Sequence, residues 1–450
     1  MEMKENNHVL AGERIGKLLV ELSFPAMIGM VVQSLYNVVD SIFVGRGVGM
    51  LGIAGIAIVF PLQMVMSAVA QMLGIGGASL ISRSLGAGNL PRANRAFGNL
   101  LTGVIVIGVI FATLGNVFID ELLKLFGATD SILPYAKDYA SIILFGSLLF
   151  SFAMATNGSL RAEGKAKVAM TTMLISAGLN MILDPIFIFW FGWGIKGAAW
   201  ATVLSQAVTV IYLVYYFWTG KSILKLSRRD FNIDRKIMCE IVAVGSASFF
   251  RMISSSFIAV VVNHSLKFYG GDVYIAIFGI INRLVAFVMM PMLGISMGVQ
   301  PIVGYNFGAK RFDKARRAVH LGNKAATGIS ILGFLVLFLF PKTLFNLFTT
   351  DQQLIKLGIP AMRIFVSSLP LLGFIITGGT LFQSIGKAKK ALYLAVFRQI
   401  CLIPLLLILP PLFKMTGIWA SFPITDVIFF LLTWKMYQHQ MKELSVISRK

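Results

Sequence analysis

Twelve mostly apolar runs, each long enough to cross a bilayer as a helix, constrain this 450-residue chain more than any other feature. They lie near 21–45, 53–82, 97–119, 139–160, 169–190 and 197–219, then near 238–263, 274–304, 321–341, 360–383, 391–411 and 417–437. A helix crossing the ~30 Å hydrocarbon core needs about 20 such residues. The separators are short and rich in Gly, Pro and charge. Hydrophobic residues make up 57% of the chain and charged residues 13%, against about 45–50% and about 25% in soluble domains. A water-soluble core of this size cannot bury that excess. The expected fold class is an all-α polytopic membrane protein with twelve transmembrane helices.

A formal net charge of +21 would suggest nucleic acid in a soluble protein. Here the positive charges fall in short loops between apolar runs, so the expected partner is the lipid bilayer and no nucleic acid is implied. Alternate loops and tails differ sharply: one set carries 27 Lys and Arg, the other 8. By the positive-inside rule both termini are expected in the cytoplasm, with the chain in the cell inner (plasma) membrane. Residues 1–20 are polar and mixed in charge, unlike a cleavable signal peptide, so the first apolar run is expected to stay as a span. Cys239 and Cys401 have no metal-ligand spacing, and no disulfide is expected.

The chain repeats itself at an offset of 222. "SRSLGAGNLPRANRA" (82–96) aligns with "GYNFGAKRFDKARRA" (304–318), and "GKAK" recurs at 164–167 and 386–389. Leu122, Leu125 and Phe126 fall over Leu344, Leu347 and Phe348 at the same offset. Each repeat holds six spans, an even number, so the halves share one orientation and are related by an axis along the membrane normal. The expected organisation is a tail 1–20, an N-lobe 21–219, a basic linker 220–236, a C-lobe 237–437 and a tail 438–450. Two pseudo-symmetric six-helix bundles suggest alternating access around a cavity between them.

Ionisable groups inside a membrane are costly and usually functional. In the first span Gln33, Tyr36, Asn37 and Asp40 are spaced three and four apart, which makes one polar stripe on a helix. In the fifth span Asn180 and Asp184 are four apart, followed by Pro185, which cannot donate to the helix ladder. Two carboxylates with amide and hydroxyl neighbours suit a cation or proton site; the competing reading is that they cap helix ends or bond neighbouring helices. An intramembrane aspartyl protease also needs two carboxylates, but Asp184 lacks the GxGD glycines. The C-terminal half carries Arg251, Asn282, Arg283, Arg398 and Asp426 without a second acidic pair. Arg398 and Asp426 are candidates for pairing across two helices, and Arg283 for a polar edge or the cavity lining. The 22 Met and 36 Phe are soft side chains that suit an adaptable cavity, although most of them must face lipid or fill packing. No P-loop is present, so an ion gradient is the expected energy source, with no cofactor and no enzymatic reaction.

These residues resemble the multidrug and toxic compound extrusion (MATE) family over about 14–437. The carriers are "FPAMIGMVVQSLYNVVDSIFVGRGVG", "ISRSLGAGNLPRANRA", "RAEGKAK", "NMILDPIFIF", "GAAWATVLSQ" and "VGYNFGAKRFDKARRA". The pattern looks most like DinF-like and MepA-like bacterial and archaeal members. The resemblance implies a twelve-helix antiporter that exports cationic amphipathic drugs in exchange for H⁺ or Na⁺. It assigns ion coupling to Asp40, Asn180, Asp184, Thr202, Tyr139 and Asn157, with Asp40, Asn180, Asp184 and Thr202 as the expected Na⁺ ligands. It also marks Pro25 as a place where the first helix bends. Gln33, Tyr36, Asn37 and Arg283 are the expected substrate-cavity residues. NorM-like members carry acids on the seventh and tenth helices, where this chain has Arg251, Ser254–Ser256, Ser367, Ser368 and Thr377. The alternative is a lipid-linked precursor flippase of the same superfamily, with the C-half arginines holding phosphates. A monomer is expected.

Overall fold

The computed structural model describes residues 9–449; residues 1–8 and Lys450, parts of the two expected tails, lie outside the described residues. The N-lobe comprises α1 (Ile15–Gly47), α2 (Met50–Gly86), α3 (Leu90–Val117), a short α4 (Ile119–Leu125), α5 (Leu133–Phe145), α6 (Ser147–Ala162), α7 (Ala166–Pro185) and α8 (Gly194–Trp218). The C-lobe comprises α9 (Arg235–Gly270), α10 (Asp272–Gly308), α11 (Phe312–Leu339), a short α12 (Pro341–Asn346), α13 (Gln352–Val366), α14 (Leu369–Ser384) and α15 (Ala388–Arg449). The pairs α5–α6 and α13–α14 are single crossings bent by 53° and 42°. Helix α15 breaks at Lys414 (φ 50, ψ −130) and makes two crossings. The described residues thus cross twelve times and contain no strand.

Helix ends follow from local chemistry. Asn89 accepts from the Arg92 N–H at the start of α3, and Asp234 and Asp351 cap α9 and α13 in the same way, since each helix leaves four N–H groups without intrahelical partners. Two ends differ from the expected bounds. Helix α1 starts at Ile15, earlier than 21, because Ile15, Leu18, Leu19 and Leu22 are buried. The last helix continues to Arg449 rather than giving way to a tail at 438. Leu444 is buried there, and Lys387 binds Glu443 at 2.7 Å while Lys390 meets Gln440 at 3.2 Å.

For three helix pairs the 222-residue offset holds to the residue. Helix α2 starts and ends at 50 and 86 and α10 at 272 and 308; α3 and α11 run 90–117 and 312–339; α6 and α14 run 147–162 and 369–384. Even the bends coincide, since Gly146 precedes α6 and Ser368 precedes α14.

Among the described residues the lobes share a core only toward the end that holds the described chain termini. One apolar core there draws on both lobes, from Leu10–Leu22 and Leu73–Val104 to Met292–Ala326 and Leu381. At the opposite end the cores are separate: one holds Val44, Leu62, Tyr139 and Ile195 of the N-lobe, the other Val262, Ile281, Phe345 and Leu406 of the C-lobe. A cleft therefore opens away from the termini. In lipid, helices associate through close van der Waals packing rather than apolar burial, which favours small residues. Helices α2 and α10 use them reciprocally. A Cβ on Gly86 would strike the Tyr305 carbonyl, and one on Gly308 would strike the Arg83 carbonyl. Residues 83 and 305, like 86 and 308, are related by the repeat, so this contact is the pseudo-two-fold itself.

The 220–236 linker is strapped to the N-lobe. Asn99 donates to the carbonyls of Asp230 and Asn232 and accepts from the Asp234 N–H at 2.7 Å, and Thr102 donates to the Phe231 carbonyl. The fully buried Glu163, in the α6–α7 turn, accepts from the Ser222 hydroxyl at 2.5 Å and the Ile223 N–H at 3.3 Å. Loss of water there pushes its carboxyl up to about 7 despite those donors.

Candidate functional site

Helix α1 packs on α10 near Ser23 and Met27 and on α7 from Gly29 onward. This brings the stripe on α1 to the wall of the N-lobe, where the carboxyls of Asp40 and Asp184 are in direct contact. Asp184 is fully buried, whereas Asp40, Tyr36 and Gln33 are half-buried and Asn37 is exposed. The polar face thus runs from the cleft inward to Asp184.

Asn180, one turn before Asp184, fixes the second carboxyl. Its Nδ2 donates to Asp184 Oδ2 at 2.8 Å and its Oδ1 accepts from the Thr202 N–H and hydroxyl at 3.1 Å each. The opposite amide orientation would set two acceptors face to face, unless Asp184 carried a proton and became the donor. Thr202, on α8, shares its one hydroxyl proton between the Asn180 Oδ1 and the Ala198 carbonyl, also at 3.1 Å, and its oxygen interacts with the Tyr36 hydroxyl. Asp184 Oδ1 is buried and takes no hydrogen bond from a described donor. Two carboxyls in contact repel when both are ionised, and a proton or a cation between them removes the repulsion.

Tyr139 lies within electrostatic reach of both carboxyls, and its hydroxyl accepts from Gln63 of α2 at 3.4 Å. Sequence reasoning missed Gln63; a lone amide in the apolar run "VFPLQMVM" was the available signal. Asn157 does not join the cluster. Its Nδ2 donates to the Ala169 carbonyl at 2.9 Å and to Thr172 Oγ1 at 2.8 Å, and its Oδ1 accepts from Arg161. Asn157 lies near the C-terminal end of α6, so it holds the start of α7, three turns away from Asp184. Helix α1 runs unbroken through Pro25, which is buried at the lobe junction.

The acid pair has no counterpart in the C-lobe. The repeat places Val262, Leu402 and Leu406 where Asp40, Asn180 and Asp184 stand, and these are 0%, 1% and 1% exposed in an apolar core. The C-lobe polar group lies elsewhere. Arg398 Nη2 meets Asp426 Oδ1 at 2.8 Å, and Ser368, at the α13–α14 bend, donates to Asp426 Oδ2 at 2.8 Å. Arg398 and Asp426 are therefore a structural pair that pins the broken crossing. Arg251 projects from the exposed face of α9 and donates to Ser248 at 3.0 Å. Arg283 is exposed on the face of α10 turned away from the C-lobe core. Beside Asp184 the oxygens come from the two carboxyls, while Asn180 turns its Nδ2 to Asp184 and its Oδ1 to Thr202.

Comparison with known proteins agrees with this architecture. The MatE family model matches residues 25–186 and 247–408, once in each lobe. The multidrug export protein MepA of Staphylococcus haemolyticus is 29% identical over 94% of this chain and 93% of its own. The MepA of Staphylococcus aureus strain MRSA252 is 27% identical over 90% and 89%. Among solved structures, a MATE in the bent conformation shares 30% identity and a TM-score of 0.93 over the full length of both chains. An outward-facing multidrug resistance MATE family transporter gives 29% identity and a TM-score of 0.92, over 99% of both chains. A transporter from Pyrococcus furiosus, described as having a binding pocket of reversed polarity, matches at 30% and 0.92 over 99% of both chains.

Proposed function

The chain belongs to the MATE family of membrane transporters, and from that premise we propose that it is an efflux antiporter exporting cationic amphipathic compounds in exchange for H⁺ or Na⁺. The direct contact of Asp40 with Asp184 carries this reading. The basic loops on the terminus-bearing side favour placing that side, where the lobes are joined, in the cytoplasm. The cleft then faces outward, on the side from which a coupling ion enters.

An ionised pair on the cleft wall attracts a cationic substrate. A proton or Na⁺ arriving at Asp184 cancels that attraction, so ion and drug compete for one field. Asn180 follows the change, because its amide can donate to a carboxylate or accept from a carboxylic acid. Thr202 and Tyr36 link the event to α8 and α1. Pro25 offers no N–H to the carbonyl of Glu21, which leaves α1 a point of compliance at the lobe junction. A bend there moves the cleft wall that carries Gln33, Tyr36 and Asn37. Coupling requires each ligand to bind the outward and inward states differently.

Proteoliposomes loaded with a fluorescent cation test the assignment. Efflux is expected to respond to an imposed inward H⁺ or Na⁺ gradient and to vanish in Asp184→Asn with expression unchanged. Undiminished gradient-driven efflux in that variant overturns it. Arg251 and Arg283 on exposed helix faces favour a second reading, a flippase for lipid-linked phosphates. Gradient-independent flipping of a fluorescent lipid-linked pyrophosphate, lost in Arg251→Gln, is its signature.

A further inference from the structure

At the terminus-bearing end, a cavity of about 350 Å³ lies between the α2–α3 and α10–α11 turns. Its walls come from both lobes: Arg83, Ser84, Asn89 and Arg92 from the N-lobe, Phe307 and Lys310 from the C-lobe. Glu240 of α9 takes one side of the two guanidiniums, at 2.9 Å from Arg83 Nη1 and 2.7 Å from Arg92 Nη2. This leaves charge in excess. Arg83 Nη2 is buried with no hydrogen-bond partner among the described residues. Lys310 makes no ion pair among them either, and its left-handed backbone (φ 57) forms the turn itself.

The repeat supplies a second observation. Ser84 and Arg92 correspond to Asn306 and Lys314 on the other side of the pseudo-two-fold. There the chain's own 3₁₀ turn Val9–Ala11 lies against them: Asn306 donates to the Leu10 carbonyl and Lys314 to the Ala11 carbonyl, each at 3.4 Å. Val9 and Leu10 also pack on Gly164, 3.4 and 3.5 Å from where its Cβ would stand. The corresponding Gly386 faces the Arg83 guanidinium instead. One side of the fold thus meets its donors with two backbone oxygens, from a segment that touches both lobes. The other side has stronger donors, met among the described residues by the Glu240 carboxylate and, at Arg83 Nε, by the Ser79 carbonyl.

We propose that the cavity between Arg83, Arg92 and Lys310 binds a phosphate-bearing group and that the bound group holds the lobes together at this end. Three cations against one carboxylate select an anion. Arginine forks match phosphate oxygens in a planar, bidentate way, and lysine adds a mobile point charge. The position at the helix ends suits a phospholipid headgroup; a free phosphate offers the same chemistry. Because the walls belong to both lobes, a ligand here binds the joined state better than the parted one and shifts the equilibrium toward it.

The test uses the full chain in nanodiscs, with a distance probe across the outer ends of the lobes. One arm adds inorganic pyrophosphate to phosphatidylcholine discs; the other replaces part of the phosphatidylcholine with phosphatidylglycerol. The expected result is a shift toward the open-cleft distance and a higher melting temperature in at least one arm. A response to both identifies phosphate itself, and a response to the lipid alone identifies a headgroup. Lys310→Gln and Arg92→Gln should each weaken the response at least fivefold, Lys310→Arg should retain it, and Arg317→Gln, on the same side but outside the cavity, should leave it intact. No response in either arm overturns the proposal, as does an equal loss in Arg317→Gln. Both lysine variants change only a turn side chain, and a wild-type elution profile and helical content establish that each is folded.

Discussion

Asp40 and Val262 hold the same place in the two halves of the repeat, yet one contacts a carboxyl at the cleft wall while the other is sealed in the C-lobe core. Exchange of character between the two should therefore be unequal. Asp40→Val is expected to preserve folding and abolish gradient-driven efflux. Val262→Asp buries an unpaired charge, which costs several kcal/mol, and should lower the melting temperature sharply. Comparing efflux and thermal unfolding of the two variants checks this.

Removing one partner of a buried ion pair costs about 3–5 kcal/mol. The side chain of Arg398 is 28% exposed, so Arg398→Met should cost less, on the order of 2 kcal/mol. Asp426→Leu in the same chain should recover part of that loss, since no lone charge remains. Unfolding in mixed micelles of the single and double variants gives the coupling.

Glu163 makes stability depend on pH. Its carboxyl titrates near 7 in the folded protein and near 4.5 otherwise, so the native state holds the proton more tightly. The resulting stabilisation is complete below about 4.5 and is lost as pH rises through about 7. Thermal unfolding between pH 5 and 8 should show this decline, and Glu163→Gln, which cannot ionise, should flatten it.

Gly86→Ala and Gly308→Ala each push a methyl group into a backbone carbonyl of the other lobe. A backbone cannot yield as a side chain does. The penalty should exceed the ~1 kcal/mol that alanine gains over glycine within a helix. Spin-label distances across the cleft are expected to shift away from the open-cleft value in both variants, to a similar extent, because the two contacts are repeat-related.

Much of this was legible in the sequence because helix periodicity and the 222 offset are local or self-referential signals. The offset placed the ends of α2, α3 and α6 over those of α10, α11 and α14. Spacing also put Asn180 and Asp184 on one face. Spacing does not say which neighbour a face meets, and the resemblance that groups Asn157 with the acids does not show that it binds Thr172 and Ala169. Nor could it reveal the Arg83–Glu240–Arg92 cluster, whose members come from three helices and both lobes. The α6–α7 turn gave no sign that Glu163 would be buried, because the linker covering it lies some 60 residues on.

The position of the shared core sets a mechanical advantage. Met50 begins α2 at the open end, and Gly76 lies within the stretch that touches the other lobe. At 1.5 Å per residue that separation is about 39 Å. A rotation of roughly 10° about the junction would carry the open tip about 7 Å along an arc of that radius, while side chains at the pivot move by only a fraction of their own width. Contacts as small as one glycine against one carbonyl thus sit at the pivot of a motion several times their own size.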